Sequence, residues 1–560
     1  MTQRAVVERG VALVLGLLFG LGFGLNYGSA TQTSYILWAV KLIHPELWRR
    51  DWLVTRTFAY HKAYAELGAL LLRLTPSGSA VAWANVVVIA AGVLALYAVI
   101  RALSPAARAL PAFCVALILA SVTRTLAPGM SYAFSELLLP STLGAVGILA
   151  AAAAFVADRP LVTGVCLAVG GVFHVNDLIL SLCVFGIALL LCGRKQLLRN
   201  ALYGLGPPLL VLLWFLPFLL ASVGPGASAE GQRIFQEVRL PHHYLVPRFA
   251  WDFALWIGFQ LLGLAALLGE VERGSTPHRR LLLLLVGWWL LTIPSALLSS
   301  VVVVHFVREL FAWRISAEAD LLAQAAFAVA FIATVCEGKA ALDHFDRRAI
   351  GLGLAGVALI ALGSVPTNKL NVGVGTLLLF TALILFSRTP LRKLIAPNGD
   401  PASASRVLIA VLISLISVNI ARFSRLRRYS NLLSGGDPAV TGLCNWVRAH
   451  TDRDAVLLTP PDEEALRLRC ERAIVIDWKT APAKPSEVLE WLRRIEAVTG
   501  QKPFRYEREL SSYDELDAER VARLRARYGF DYVVTKRGHE PNLSVAPLFT
   551  NQRFSVFRLE

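Results

Sequence analysis

Three segments of this 560-residue chain carry side chains that could do chemistry within largely apolar surroundings. They hold Asp51 in ELWRRDWLVTRT, His242 and His243 in VRLPHHYLVPRF, and Arg308 and Arg314 in VVHFVRELFAWRISAE. A carboxylate within hydrogen-bond reach of an acceptor hydroxyl can act as a general base, so Asp51 is the catalytic candidate. A guanidinium binds a phosphate through two parallel hydrogen bonds and stays charged, so the two arginines are candidate phosphate ligands.

The paired histidines could contact a phosphate or a sugar, bind a metal ion, or lie in a structural loop. Neighbouring residues of a regular element point in different directions, and the segment offers no third metal ligand. His242 and His243 therefore favour phosphate or sugar contact over a metal site, and the structural loop stays open as an alternative.

Asp51 and the two arginines each have a structural interpretation as well. The arginines that could pair with Asp51 are Arg49, Arg50 and Arg56, and the first two are also candidates for binding a substrate. Either of the downstream arginines could instead pair with Glu309 or Glu318 at the mouth of a membrane span, because charges in membranes usually find partners.

Two further polar pairs lie near the ends of predicted membrane spans. Arg124 and Glu136 in SVTRTLAPGMSYAFSELLLPST are most simply an ion pair joining neighbouring spans, with substrate binding as the alternative. His174 and Asp177 in GGVFHVNDLIL are three residues apart and share a helix face. His174 is a candidate substrate ligand, and a cap at the start of a helix explains Asp177 equally well.

The elements that position these residues are predicted to be membrane-spanning helices. Charged residues make up 17% of the chain, against about 25% in soluble domains, and the mean hydropathy is +0.57. Apolar runs of about 20 residues, enough to cross a bilayer core, recur through the first three quarters of the chain. Much of the net charge of +16 lies in short loops between these runs, so nucleic-acid binding is not expected.

The pattern predicts a bundle of about thirteen spans over residues 1–424. The spans are expected near 10–28, 80–101, 109–125, 141–157, 160–173, 177–193, 200–222, 250–269, 281–299, 316–336, 349–364, 371–388 and 404–421. A retained first helix is favoured over a cleaved signal peptide, because Gly16, Gly20 and Gly24 form a stripe suited to helix packing. With the N-terminus in the cytoplasm, the basic loops lie inside and the candidate residues lie outside.

The first outer segment, 29–79, is much longer than a tight turn. Trp48 and Trp52 are predicted to anchor it at the membrane interface. Downstream, an apolar stripe predicts a helix that lies along the membrane surface and is ended by Pro76. The stripe consists of Tyr60, Tyr64, Leu67, Leu71 and Leu74.

Residues 425–560 are predicted to form a soluble α/β domain on the outer side of the membrane. Strands are expected at 455–459, 473–478, 531–536 and 554–559, alternating with helices at 438–450, 485–498 and 515–529. The domain has no glycine-rich phosphate loop or nucleophile elbow, which indicates a supporting or acceptor-contacting role. An oxidising compartment permits disulfides, and Cys444 and Cys470 are predicted to lie close together.

The long outer loop with Asp51, the bundle with its outer polar residues, and the tail resemble the GT-C glycosyltransferases, which move a sugar from a polyprenyl-phosphate carrier. The tail is represented by LCNWVRAHTDRDAVLLTPP and YGFDYVVTKRG, and RLPHHYLVPRF with this tail also resembles an uncharacterised bacterial membrane family. The resemblance implies a transferase of the bacterial inner membrane that serves the cell envelope. Its expected partners are a polyprenyl-phosphate-linked hexose or pentose, membrane lipids, and a glycan, lipid or protein acceptor. Asp51 stands alone at a position where several such enzymes have two adjacent acidic residues. The sequence predicts no metal site, although a divalent cation stays open as a cofactor.

Two other functions fit the same architecture. A transporter or flippase predicts internal repeats and helices interrupted at mid-membrane, and the sequence shows no convincing repeat. A scaffold in envelope assembly, retaining the fold without catalysis, is favoured by the missing acidic pair. The leading interpretation is a glycosyltransferase in which Asp51 activates the acceptor and outer arginines hold the carrier phosphate.

The charge pattern of the loops makes a prediction about topology. We expect a reporter fused after residue 430 to be active only if it functions outside the cytoplasm, because the short basic loops orient every preceding span. Activity of a reporter that works only in the cytoplasm would contradict this topology.

Overall fold

The computed structural model describes residues 3–58, 61–123, 127–192, 197–223, 229–300, 305–337, 430–434 and 436–559. Its first part consists of helices α1 (Gln3–Leu21), α2 (Gln32–Ile43), α3 (Trp52–Arg56), α4 (Lys62–Leu74), α5 (Ser79–Leu103), α6 (Ala106–Thr123), α7 (Pro140–Val156), α8 (Pro160–Phe173), α9 (Val175–Leu191), α10 (Leu197–Val223), α11 (Ala229–Arg233), α12 (Pro241–Tyr244), α13 (Ala250–Glu272), α14 (Thr276–Ser300), α15 (His305–Leu310) and α16 (Ser316–Glu337). Short 3-10 helices follow at Pro128–Met130, Val246–Arg248 and Ala312–Ile315, and a π-helix occupies Ile234–Arg239.

The predicted spans between residues 10 and 336 all coincide with helices, namely α1, α5 to α10, α13, α14 and α16. Within the described residues, four helices are long and apolar enough to cross a membrane: α5, α10, α13 and α14. The predicted spans at 349–364, 371–388 and 404–421 lie outside the described residues, so the total of thirteen is not tested. The chain is thus a mostly helical membrane protein with a small C-terminal sheet.

Small residues let the helices of the bundle approach closely. Gly16 and Gly20 of α1 face α5, where a Cβ at Gly20 would lie 2.7 Å from the carbonyl oxygen of Val86. The predicted packing role of these two glycines is confirmed. Gly24 lies beyond the end of α1 with a φ of +87°, a conformation that few other residues adopt.

The segment 29–79 contains α2, α3 and α4. α4 ends at Leu74 before Pro76, as expected, but it packs against α2 through Tyr64, Gly68 and Leu72. A Cβ at Gly68 would lie 2.9 Å from the Cβ of Ala39, so the absence of a side chain brings the two helices together. Leu74 of the predicted apolar stripe is 68% exposed, and the position of this helix along the membrane surface stays a prediction.

The soluble domain is built around a mixed five-stranded sheet. It consists of α17 (Asn431–Ser434), α18 (Pro438–His450), β1 (Val456–Leu458), α19 (Leu466–Cys470), β2 (Ala473–Ile474), α20 (Pro485–Thr499), α21 (Ala518–Tyr528), β3 (Tyr532–Lys536), β4 (Phe549–Thr550) and β5 (Phe554–Arg558), with a 3-10 helix at Glu507–Glu515. The strand order is β2-β1-β3-β5-β4; β1 pairs in parallel with β2 and β3, and β5 pairs antiparallel with β3 and β4. Asp437 caps α18 by accepting from the Ala439 backbone N–H at 2.8 Å.

The predicted proximity of Cys444 and Cys470 is confirmed, because the two residues form a disulfide with their Cα atoms 4.2 Å apart. It joins α18 to α19 within the core below the sheet. The other predicted strand and helix positions agree with the structure, except that only Ala473 and Ile474 of the 473–478 segment form a strand.

The soluble domain docks onto the outer segments of the bundle through apolar contacts. Ile234 is 2% exposed and belongs to the core of the soluble domain, together with the partly buried Phe235. Trp48 and Trp52, predicted as membrane anchors, also face this domain. The indole of Trp48 donates to the backbone oxygen of Arg467 at 3.2 Å, and the Arg494 guanidinium lies over the Trp52 ring at 4.6 Å.

A buried ion network completes this docking. Arg467, 2% exposed, donates through Nε to Asp51 at 2.9 Å and through a second nitrogen to Asp477. Asp51 is 0% exposed and also accepts from the backbone N–H groups of Val54 and Ile474 at 3.2 and 3.0 Å. Asp51 therefore caps α3 and binds the soluble domain at the same time.

This network leads to a prediction about stability. Replacing Arg467 by Met should destabilise the protein by about 3–5 kcal/mol, because two carboxylates would stay buried without a counter-charge. A fall in the unfolding midpoint of the full-length protein in detergent would measure this loss.

The same change at Arg493, whose side chain is 62% exposed, is the matched control and should shift the free energy of unfolding by less than about 0.5 kcal/mol. Combining Arg467→Met with Asp51→Asn and Asp477→Asn should recover part of the loss, because the unpaired charges are then gone. Equal midpoints for Arg467→Met and the wild type would contradict the role of the network.

Candidate functional site

A group of polar side chains surrounds Arg314 where α9 begins and α16 begins. Arg314 lies in the 3-10 helix Ala312–Ile315, and its backbone N–H donates to the Phe311 oxygen at 2.9 Å. Its Nε lies 3.6 Å from Oδ1 of Asp177, and the guanidinium lies over the Phe311 ring at 5.4 Å. The Arg314 side chain remains 26% exposed, so part of this cation is available to a ligand.

Asp177 is placed by the start of α9. His174 is the N-cap residue of this helix, and its Nδ1 lies 3.3 Å from the Asp177 backbone nitrogen and 3.0 Å from Oδ1 of Asp177. The cap expected at Asp177 is therefore provided by His174, and the two residues do share a face. A Cβ at Gly144 of α7 would lie only 2.6 Å from Oδ2 of Asp177. Any side chain at position 144 would therefore clash with this buried carboxylate.

His61, which precedes α4, completes this side of the site. Its ring stacks on that of His174 with centroids 5.5 Å apart, and its Nδ1 is 3.0 Å from the backbone oxygen of Phe173. Because a carbonyl oxygen only accepts, His61 donates through Nδ1. Burial, together with the nearby His174 and Arg314, holds the pKa of His61 well below its usual value, so the ring is neutral.

His242 and His243 lie on the opposite side, in the short helix α12, which begins at Pro241. Nδ1 of His243 lies 2.5 Å from the Gly129 backbone oxygen, and the His243 backbone oxygen accepts from the Trp313 indole at 2.7 Å. Gly129 has a φ of +65°, and a Cβ there would lie 2.8 Å from the Trp313 ring. A glycine at this position therefore lets the two segments meet.

Tyrosines fill the space around the cation. Tyr35, Tyr132 and Tyr244 all lie within electrostatic reach of Arg314, and Tyr35 also meets the His61 ring edge-on at 4.9 Å. Burial raises the pKa of Tyr244 to about 12, so its hydroxyl stays protonated and can donate or accept a hydrogen bond. We call this set the Arg314 cluster; its members are Arg314, Asp177, His61, His174, His243, Tyr35, Tyr132 and Tyr244.

Two further arginines flank the Arg314 cluster. Arg239 is 7% exposed, lies over the Trp478 ring at 5.2 Å and donates to the Lys479 oxygen at 2.9 Å. Its Nε has no hydrogen-bond partner among the described residues. Arg308 is equally buried, and its guanidinium lies 3.3 Å from the Glu237 carboxylate. The candidate partners from sequence were Glu309 and Glu318, and not Glu237.

The structure does not bring Asp51 into this site. Both carboxylate oxygens of Asp51 are occupied: Oδ1 accepts from the Val54 N–H, and Oδ2 accepts from Arg467 and from the Ile474 N–H, so neither oxygen is open to an acceptor hydroxyl. Arg50 is also part of the docking surface, since it pairs with Asp531 at 2.8 Å, and Arg49 is exposed. The structure therefore does not support the predicted catalytic role of Asp51, because this residue is held in the domain interface.

The remaining sequence candidates are Arg124, Glu136 and His242. Glu136 is exposed, and Arg124 lies outside the described residues, so their expected ion pair is not tested. His242 is half-buried beside His243, with ring centroids 4.3 Å apart.

Sequence reasoning missed His61, Arg239 and Tyr35. Arg239 stands three residues before His242 in the quoted segment, and a basic residue there is a usable signal. His61 and Tyr35 carry no such signal, because only the packing of α2 and α4 brings them to Arg314.

The cluster can bind an anion and donate or accept hydrogen bonds. Within the described residues, no group of three or more His, Cys, Asp or Glu side chains could hold a metal ion. Its chemistry is that of one partly exposed guanidinium, one buried carboxylate, the neutral imidazoles of His61 and His243, and phenols.

Part of the soluble domain matches a known family model, and the chain as a whole is similar to a solved structure. A family model described as a domain of unknown function, DUF6798, matches residues 438–498 in the soluble domain. No match was found among curated proteins. Among solved structures, the chain is similar to the archaeal oligosaccharyltransferase AglB from Archaeoglobus fulgidus in complex with an inhibitory peptide and a dolichol-phosphate. This similarity has 11% sequence identity and a TM-score of 0.47, and it covers 96% of this chain and 70% of that chain.

Proposed function

We propose that this protein is a GT-C-like membrane glycosyltransferase that binds the phosphate of a polyprenyl-phosphate-linked sugar at Arg314. The observation that supports this most directly is the 26% exposure of the Arg314 side chain beside the buried Asp177, His61 and His174. A buried cation that keeps an open face suits a ligand that brings negative charge. A phosphate also matches the planar fork of a guanidinium better than a single carboxylate at 3.6 Å does.

The placement of the Arg314 cluster supports a lipid-linked substrate. His174 lies at the junction of two predicted spans, Arg314 directly precedes α16, and both are on the side that the basic loops assign to the outside. A polyprenyl tail would stay in the lipid while its phosphate reaches the cation. The Cys444–Cys470 disulfide also favours an outer position for the soluble domain, since disulfides persist in oxidising compartments.

Asp177 replaces Asp51 as the candidate base. Asp177 is also buried, but its Oδ1 receives no hydrogen bond from the described residues, and this oxygen lies 3.6 Å from Nε of the partly exposed Arg314. A bound phosphate would compete with Asp177 for the guanidinium and so free the carboxylate. The acceptor hydroxyl would then attack the anomeric carbon, the bond from that carbon to the phosphate oxygen would break, and the hydroxyl proton would pass to Asp177.

The first test concerns binding of the carrier. Arg314→Lys should weaken binding of polyprenyl phosphate by about tenfold, because lysine keeps the charge and loses the bidentate geometry. Native mass spectrometry of the full-length protein in nanodiscs, titrated with polyprenyl phosphate, measures the change. Arg493→Lys, a conservative change at an exposed arginine, is the control and should bind like the wild type. Unchanged binding in both Arg314→Lys and Arg314→Ala would refute the phosphate site.

The second test separates binding from chemistry. Asp177→Asn should reduce sugar transfer by about 100-fold or more, because the amide keeps the shape of the carboxylate and cannot accept a proton. Binding of polyprenyl phosphate should persist or strengthen, since a negative charge next to Arg314 is removed. Transfer is measured from a polyprenyl-phosphate-linked sugar in proteoliposomes. Full transfer activity in the Asp177→Asn variant would exclude this residue as the base.

A further inference from the structure

The Arg314 cluster contains a hydrogen-bond acceptor next to the charged guanidinium. This acceptor is the outer ring nitrogen of His243. Nδ1 of His243 lies 2.5 Å from the Gly129 carbonyl oxygen, which can only accept, so Nδ1 must carry the ring proton. In a neutral imidazole, Nε2 then has a lone pair and no hydrogen.

We propose that Nε2 of His243 accepts a hydrogen bond from a hydroxyl group of the sugar, while Arg314 takes the phosphate. This assignment rests on the proposed function and divides the substrate between two sides of the cluster. It makes His243 a ligand of the sugar and not of the phosphate.

The position of His243 is fixed by two contacts of its ring and one of its backbone. Besides the Nδ1 bond to Gly129, the backbone oxygen of His243 accepts from the Trp313 indole at 2.7 Å. The ring also contacts that of Phe311, with centroids 5.7 Å apart. A side chain anchored in this way has one free polar atom and loses little conformational freedom when that atom binds a ligand.

A phosphate does not suit this nitrogen. Phosphate oxygens are acceptors, and a lone pair on Nε2 repels them unless the ring gains a second proton. Burial, with the neighbouring His242 and the positive charges of Arg314 and Arg239, lowers the pKa of His243 to about 3. The ring therefore stays neutral at physiological pH and presents only an acceptor.

A metal ion is also a poor occupant. A metal-bound histidine often donates its other ring nitrogen to a carbonyl, as His243 does. However, no group of three metal-ligating side chains occurs within the described ranges, and two arginines lie within electrostatic reach of His243. A hydroxyl group can donate to the Nε2 lone pair, and because it is neutral the nearby arginines do not repel it.

The spacing of the two ligands suits a sugar joined directly to a phosphate. His243 and Arg314 both border the buried Phe311 ring, at centroid distances of 5.7 and 5.4 Å. A glycosyl phosphate places its hydroxyl groups within a few bonds of the phosphorus, so one molecule can reach both residues across a single aromatic ring.

The experiment uses His243→Asn in the full-length protein. The asparagine amide lies near the position of Nδ1 and can still donate to Gly129, but it has no atom at the position of Nε2. Binding is measured in nanodiscs for two probes, polyprenyl phosphate and polyprenyl-phosphate glucose. We expect the variant to lose about tenfold in affinity for the glucose-linked probe and to bind the bare phosphate like the wild type.

His539→Asn, at an exposed histidine in the soluble domain, is the matched control and should change neither affinity. An equal loss for both probes would place His243 on the phosphate, and no loss for either probe would remove it from the site; both results overturn the proposal. Wild-type protein that binds neither probe would instead overturn the proposed function and this proposal with it. Nitrogen NMR of the labelled histidines, assigned with the His243→Asn variant, checks the tautomer, and a protonated Nε2 would overturn the proposal independently of any ligand.

Discussion

The buried pairing of Arg467 with Asp51 and Asp477 is the interaction on which the outer half of the molecule depends. It joins α3 of the bundle to the edge of the soluble sheet, and the same Asp51 oxygen also accepts from the backbone N–H of Ile474. Taking three charges out of water costs several kcal/mol, which their mutual attraction offsets only because further hydrogen bonds complete the network. The arrangement therefore specifies one docking position, since any displacement leaves a buried charge unpaired.

Once the domain is docked, the Arg314 cluster acquires its outer wall. Arg239 lies over Trp478, and the hydroxyl of Ser34 in α2 bonds to that of Thr480 at 3.2 Å. Both contacts lie next to Asp477, so the network that fixes the domain also fixes the wall of the site. A largely buried site has a lower effective dielectric than water, so each charge in it acts more strongly on its neighbours.

The cluster itself is arranged so that charge and neutral polarity are separated. Arg314 and Asp177 form its single close ion pair of opposite charges, whereas His61 and His243 are kept neutral by burial and by positive neighbours. Both imidazoles donate through Nδ1 to backbone oxygens, so backbone geometry sets their tautomers. The cluster therefore places its cation and its neutral imidazoles at different positions.

Hydrophobicity and local signals in the sequence determined the helices at the predicted spans to residue 336, the cap at Asp437 and most strands, because these depend on neighbouring residues. The partners of Asp51 and Arg314 were not predictable in this way. Asp51 pairs with a residue 416 positions away, and Arg314 meets Asp177 through the packing of separate helices. The environment of Trp48 was not predictable from the sequence either, because an indole suits a membrane interface and a domain interface equally well. Only the tertiary structure decides between such environments, because burial and pairing of a polar side chain depend on segments that the local sequence does not contain.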